Sequence, residues 1–238
     1  TIEKAKALGI KVLYGDTDSI FLEAPPSRQI EELMKWSEEE LGMELEIDKV
    51  YRYAVFSMRK KNYLGVLPDG SVDIKGLTGK KRHIPKFLKQ EFMEMVKTLS
   101  EVQSPEDFKE AQRKIRTIVK TCYTKIKNRE YSLHDLSFNI MISKLPEKYV
   151  KTTPIHVKAA RLLAERGVEV KPGDIIGFVK VIGGLGVKPV QLASPSEIDV
   201  AKYVEYVEAT FEQVLDAIGL DFHEILGSKR LEYFMGNT

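Results

Sequence analysis

One cysteine among 238 residues, Cys122, leaves no partner for an intramolecular disulfide; the chain fits an intracellular protein, and the residue itself reads as small buried core. Long apolar runs are missing as well. No uninterrupted stretch approaches the ~20 residues of a membrane span, and Thr1 to Leu8 carries charges on a helical pattern where a signal peptide would place an apolar core. The expectation is a soluble, cytoplasmic protein with no membrane partner. His83, His134, His156 and His223 have no metal-site spacing and a single cysteine for company, which argues against zinc. Nucleotide-loop signatures are incomplete. Gly183-Gly184-Leu185-Gly186-Val187-Lys188 has no Walker spacing, no Ser or Thr after its lysine and no GxGxxG run, so it reads as a flexible loop.

A hydrophobic share of 43% permits one large or two small domains with an ordinary core, and nothing in it implies disorder. Charge sums to only +2 but is segregated. Asp16 to Asp48 holds eleven acidic and two basic residues, and Lys49 to Lys89 holds eleven basic and two acidic. A negative block followed by a positive one of equal size suggests a cation site beside a polyanion track. Glu31, Glu32, Glu38, Glu39 and Glu40 fall on a helix expected from Ser27 to Leu41 and capped by Gly42, so they read as its solvated face in preference to metal ligands.

Tyr14-Gly15-Asp16-Thr17-Asp18-Ser19 stands between apolar flanks, Ile10 to Leu13 and Ile20 to Leu22, that read as the strands of a β-hairpin with the polar hexapeptide as its turn. Side chains alternate along a strand, so Asp16 and Asp18 are expected to point the same way. Two aligned carboxylates repel unless a cation or proton separates them, and Mg²⁺ is the hard cation usually held by one or two carboxylates plus substrate phosphates. The pattern points to metal-dependent phosphoryl transfer. On spacing alone, an Asp-rich hairpin turn is the alternative.

The basic block has its own architecture. Val50 to Met58 reads as a strand running into Arg59-Lys60-Lys61-Asn62-Tyr63; Pro68-Asp69-Gly70 marks a turn, and Val72 to Ile74 starts the return toward Lys75-Gly76 and Lys80-Lys81-Arg82-His83. One hairpin thus brings two lysine-rich clusters near each other, as contacts to phosphates need, with a solvated basic surface as the alternative.

These strings resemble a known family. Tyr14 to Ser19 resembles the motif C signature of family B DNA polymerases of the archaeal type, which lies in the palm domain. The resemblance implies that Asp18 ligates the catalytic Mg²⁺ directly and that Asp16 supports the site from close by. Lys61-Asn62-Tyr63 resembles the Lys-x-Tyr element that follows motif C, implying that Lys61 and Tyr63 hold the primer strand near its 3′ end, with Lys60 beside them as a further DNA-binding candidate. Lys75-Gly76-Leu77 with Lys81-Arg82 resembles the next element, a Lys/Arg-Gly step followed by paired basic residues. Many archaeal members have Asp after that pair, whereas His83 stands here with its role open.

From Ile84 the pattern turns helical. Ile84 to Leu99 is amphipathic; Ser104-Pro105-Glu106-Asp107 opens a second helix to about Lys127; a third is expected from Pro154 to Arg166 closed by Gly167, and a fourth from Ser196 to Ile218 closed by Gly219. Lys171 to Ile182 reads as a turn and a strand. This half resembles the thumb of the same polymerases, most clearly over Tyr149 to Val181, with Pro154-Ile155-His156-Val157-Lys158-Ala159-Ala160 as its helix. In the family the thumb clasps duplex DNA, which implies phosphate contacts from Lys158, Arg161 and Arg166 and places the glycine loop near DNA; an ordinary surface role is the alternative for each cation. Trp36, Tyr123, Tyr131 and Tyr149 read as core or boundary aromatics in preference to stacking platforms. Ser228 to Met235 resembles the clamp-binding peptide of archaeal members, with Leu231, Phe234 and Met235 as a plug for a sliding clamp (PCNA); a tail helix packing on its own thumb is the alternative.

The expected fold class is α+β: a partial palm with antiparallel β-hairpins over residues 1–83, a mostly helical thumb domain over 84–227 and a tail over 228–238. A complete site of this family also needs a motif A aspartate, a fingers helix and usually an exonuclease domain. None is found, and only thirteen residues precede Tyr14. Two-metal transfer needs carboxylates on both sides of the cation pair. The resemblance therefore implies the C-terminal portion of a DNA-directed DNA polymerase, a split-enzyme small subunit or an excised fragment. A larger partner chain would carry exonuclease, fingers and motif A, with primer-template DNA and a deoxynucleoside triphosphate as substrates. The alternatives are a non-catalytic DNA-binding and clamp-tethering subunit and, more weakly, a nuclease.

Overall fold

In the computed structural model, residues 1–57, 61–76 and 83–227 are described. The chain divides into two units, Thr1–Lys75 and Gly76–Thr238.

The first unit opens with α1 (Ile2–Ala7), a short helix that buries Ala5 and is turned back by Gly9 at φ 78°, with the Ile10 N–H donating to the Ala5 carbonyl at 3.0 Å. β1 (Val12–Gly15) and β2 (Ile20–Leu22) then pair antiparallel. Val12 faces Leu22 and Tyr14 faces Phe21, so Leu13 is an extra residue on β1: a bulge, which bends and twists the strand just before the polar turn. The strand therefore ends two residues later than its apolar flank suggests, and the turn shrinks from the expected hexapeptide to Asp16–Ser19.

α2 (Ser27–Leu41) follows Pro25-Pro26 and stops at Gly42, which takes the left-handed conformation at φ 63° while its N–H and that of Met43 bond back to Glu38 and Ser37. These are the limits the sequence pattern sets. Its inner face contributes Leu33 and Trp36 to a small core with Ala5, Ile10, Val12, Ile20, Leu22 and Leu45.

β3 (Tyr53–Phe56), β4 (Tyr63–Val66) and β5 (Val72–Lys75) form an antiparallel meander. The sequence pattern suggests only the outer two strands. β4 hides because its start, Lys61-Asn62-Tyr63, reads as part of a basic cluster and because Gly65 interrupts the apolar run. Gly65 has a packing reason: a Cβ there would meet the Tyr51 ring at 2.4 Å, so only glycine lets that ring lie on the strand.

The second unit is built on helices α3 (Lys86–Ser100), α4 (Pro105–Lys127) and α6 (Val200–Ala217), which pack on one another around Phe92, Leu99, Ile115, Cys122 and Phe211. α4 starts at a capping box in which the Ser104 hydroxyl accepts the Asp107 N–H at 3.1 Å and the Asp107 carboxylate accepts the Ser104 N–H at 2.9 Å. Its buried residues Ala111, Ile115, Val119, Cys122 and Ile126 recur every three or four positions, one stripe of the helix. Cys122 is fully buried, and burial pushes its thiol up to about 12.

A three-stranded antiparallel sheet joins this bundle, with β7 (Ile175–Lys180) between β6 (Phe138–Met141) and β8 (Val187–Pro189), and α5 (Ile155–Glu165) packed on β7 and β8. Only β7 is expected from the sequence. Gly183 to Gly186 is a tight hairpin turn, with the Gly186 N–H bonded to the Gly183 carbonyl at 2.9 Å and three glycines at positive φ, where a flexible loop is expected. α6 begins later than Ser196 because Asp199 caps it through the Lys202 N–H at 3.0 Å, while Glu197 closes a separate turn with Ser194 and pairs with Lys188. A four-residue helix, α7 (Phe222–Ile225), packs on α4 and α6. Among the described residues no helix is long and apolar enough to cross a membrane.

Candidate active site

The β1–β2 hairpin presents Asp16 and Asp18 beyond the ends of both strands. The ladder extends one step into the turn, where the Asp16 N–H donates to the Ser19 carbonyl at 2.8 Å. The strands end at Gly15 and resume at Ile20, so both aspartates lie in the turn and the expected strand alternation does not set their directions. Their environments differ. Asp16 Oδ1 accepts the Thr17 N–H at 2.8 Å and lies 3.6 Å from Lys61 Nζ, and the Thr17 amide first, then the lysine, hold its carboxyl below the ordinary carboxylate range. Asp18 is exposed and makes no hydrogen bond or ion pair with the described residues.

A second link ties the hairpin to the meander. The Lys61 N–H donates to the Tyr14 hydroxyl at 2.7 Å, with Lys61 itself in the left-handed region at φ 63°. Lys61 is thus joined to the hairpin through both its backbone and its ammonium. Beneath this contact the rings of Tyr14, Phe21, Tyr51, Phe56 and Tyr63 form one cluster, with Tyr14 stacked on Phe56 at 5.4 Å and Tyr63 edge-on to Phe21 at 5.0 Å. Edge-to-face and offset contacts of this kind suit the ring quadrupoles. Tyr63 faces Lys75 directly across β4 and β5, which brings that exposed lysine to the same end of the sheet. Tyr51 donates to Asp73 at 2.7 Å, and burial together with that bond raises its phenol well above the usual tyrosine value. Sequence reasoning passed over Tyr14 as an acceptor for Lys61 and Tyr51 as the support of the cluster; the closely spaced aromatics of the block were the available signal.

The donor set fits half of a magnesium site. Mg²⁺ is commonly held by one or two carboxylates with waters and substrate phosphates completing its shell, and the hairpin offers exposed Asp18 with ionised Asp16 nearby. No cluster of three or more metal-ligating side chains occurs among the described residues.

Of the other expected site residues, Lys158 lies half-buried on α5 in the second unit. Arg161 is committed elsewhere: its guanidinium donates to the carbonyls of Pro146 and Tyr149, pinning the segment that leads into α5. Lys60, Lys81, Arg82, Leu231, Phe234 and Met235 lie outside the described residues. His83 has a neighbour in His156, whose imidazole is held below its usual value by burial first and by His83 second.

The sequence model for DNA polymerase family B matches residues 1–218. The chain belongs to DNA polymerase family B. Among its relatives, DNA polymerase 1 of Sulfolobus acidocaldarius is 47% identical over 237 residues, covering 100% of this chain and 27% of the relative. DNA polymerase 1 of Aeropyrum pernix is 44% identical over 98% of this chain and 24% of the relative. The family B DNA polymerase structure from Pyrobaculum calidifontis superposes with a TM-score of 0.61 at 31% identity, covering 91% of this chain and 27% of that one. This family B chain therefore spans about a quarter of the length of the relatives it matches.

Proposed function

We propose that this family B chain is the C-terminal palm and thumb portion of a DNA-directed DNA polymerase. In this reading residues 1–83 are palm, 84–227 are thumb, and the Asp16–Asp18 hairpin is one side of a nucleotidyl-transfer site. The observation that carries the reading is the double link between Lys61 and the hairpin: a cation suited to a primer phosphate or groove is joined to the turn that bears the carboxylates. Asp18, exposed and unengaged among the described residues, would hold Mg²⁺; Asp16, already bonded to Thr17 and Lys61, would fix the hairpin and set the lysine's position. When bound, Mg²⁺ would supply Lewis-acid stabilisation of the charge that develops on the phosphate.

Lys61 and Tyr63 would hold the primer terminus, and Lys75 the adjoining backbone. In the second unit Lys158 is the thumb candidate, gripping phosphates without reading sequence. The second metal-binding carboxylate, the fingers and the exonuclease are assigned to a larger partner chain, and the tail at Leu231, Phe234 and Met235 to a sliding clamp.

Asp18→Ala in the assembled polymerase tests the catalytic assignment. Primer extension should fall by at least roughly 10²-fold, the scale on which loss of charge stabilisation is felt, with the affinity for primer-template DNA unchanged. Normal extension by the variant would leave a DNA-binding, clamp-tethering role in its place.

A further inference from the structure

Between α2 and β3 the sequence Met-Glu-Leu-Glu-Ile-Asp, Met43 to Asp48, alternates apolar and acidic side chains, and Lys49-Val50 follows it. Met43, Leu45 and Ile47 share one parity, and Glu44, Glu46 and Asp48 the other. This is the period-two signature of a strand with one apolar face, yet the segment belongs to no sheet. Its ends are pinned: the Met43 N–H bonds to the Ser37 carbonyl at 3.1 Å, and the Arg52 N–H to Val66 at 2.7 Å. Between them, from Glu44 to Val50, no backbone N–H or carbonyl finds a hydrogen-bond partner among the described residues. Leu45 packs on the core formed by Ala5, Ile10 and Leu33, whereas Met43, Ile47 and Val50 are 55%, 59% and 64% exposed.

Backbone groups left unpaired along a strand-patterned segment are a template for another strand. We infer that Glu44 to Val50 is an edge strand that pairs with an extended segment of the polymerase residues lying outside this chain. Two observations favour that occupant. Relatives that match this chain from end to end carry about three times as much polymerase again, since the match covers 27% of the Sulfolobus acidocaldarius protein. The chemistry of the segment also selects its partner: a neighbouring strand would set Lys or Arg beside Glu44, Glu46 and Asp48 and apolar side chains beside Met43 and Ile47, the cross-strand pairs that stabilise a sheet. The inference rests on the reading that these residues work within a larger polymerase, but it concerns assembly and needs no catalysis.

Amide hydrogen exchange of the 238-residue chain, alone and with the complementing polymerase portion, tests it without nucleotide present. Pairing along one edge engages every second N–H, so alternate amides from Glu44 to Val50 should slow by at least about tenfold on assembly. Adjacent N–H groups point to opposite edges. Of Glu46→Pro and Ile47→Pro, one should therefore weaken assembly by about tenfold or more whichever edge is used, with the circular dichroism of the isolated chain unchanged, while Ile47→Val, which keeps the N–H and the apolar face, assembles normally. Assembly with these amides exchanging as in the free chain, or with both proline variants binding like the parent, overturns the inference. Alternate protection that instead appears in the chain alone as its concentration is raised would overturn it in favour of a second copy. An assembly that shows the alternate protection but extends no primer would contradict the polymerase reading and leave the strand pairing intact.

Discussion

Asp16 and Asp18 are two residues apart in sequence but far apart in engagement, and that difference is the basis for giving them different tasks. Asp16 holds the Thr17 N–H and Lys61 through one oxygen, and its carboxyl is held below the ordinary carboxylate range as a result. The ionised form and its bonds are therefore favoured above the ordinary carboxylate range, and they are lost only as pH falls through the depressed value. Lys61→Ala removes the lysine's contribution and leaves the larger one, the Thr17 amide. The Asp16 titration, followed by its carboxyl carbon shift, should move upward toward the ordinary carboxylate range. In the assembled polymerase the same variant should bind primer-template DNA more weakly and lower the salt slope of binding by about 1. An unmoved titration would contradict the ion pair, and an unchanged salt slope would contradict the contact to DNA.

At the scale of elements, the three-stranded meander matters because it holds Lys61, Tyr63 and Lys75 at one end, and its middle strand depends on Gly65. A methyl group there would enter the Tyr51 ring, whose hydroxyl is tied to Asp73 and whose face lies 6.0 Å from Phe21. Gly65→Ala should destabilise the chain by about 1–3 kcal/mol, the usual cost of overpacking, seen as a lower denaturant midpoint; an unchanged midpoint would mean that the ring yields freely. That strand also shows where sequence reading stops. Helices α2 and α4 were legible to their last residues because Gly42, Ser104 and Asp107 are local signals with local effects. β4, β6 and β8 were not, since short strands are chosen by the partners they pair with, which periodicity does not reveal. The late start of α6 was hidden likewise: Ser196 looks like a helix start until Glu197 is seen to pair with Lys188.

For the whole molecule, the motif C string and the Lys-x-Tyr string were each readable alone, but their connection was not. The 2.7 Å bond from the Lys61 N–H to the Tyr14 hydroxyl joins segments 47 positions apart, and no spacing rule predicts it. In the proposed reading the first unit supplies one side of a reaction centre, a carboxylate turn with a primer-holding cation, and the second unit a helical grip on duplex DNA. Two-metal transfer needs carboxylates on both sides of the cation pair, so the account requires polymerase residues from outside this chain. The most direct measurement is primer extension with Mg²⁺, deoxynucleoside triphosphates and primer-template DNA, by the 238-residue chain alone and after addition of the complementing portion with fingers and motif A. The account predicts no incorporation by the chain alone and incorporation once the complement is added. Robust extension by the chain alone would contradict it.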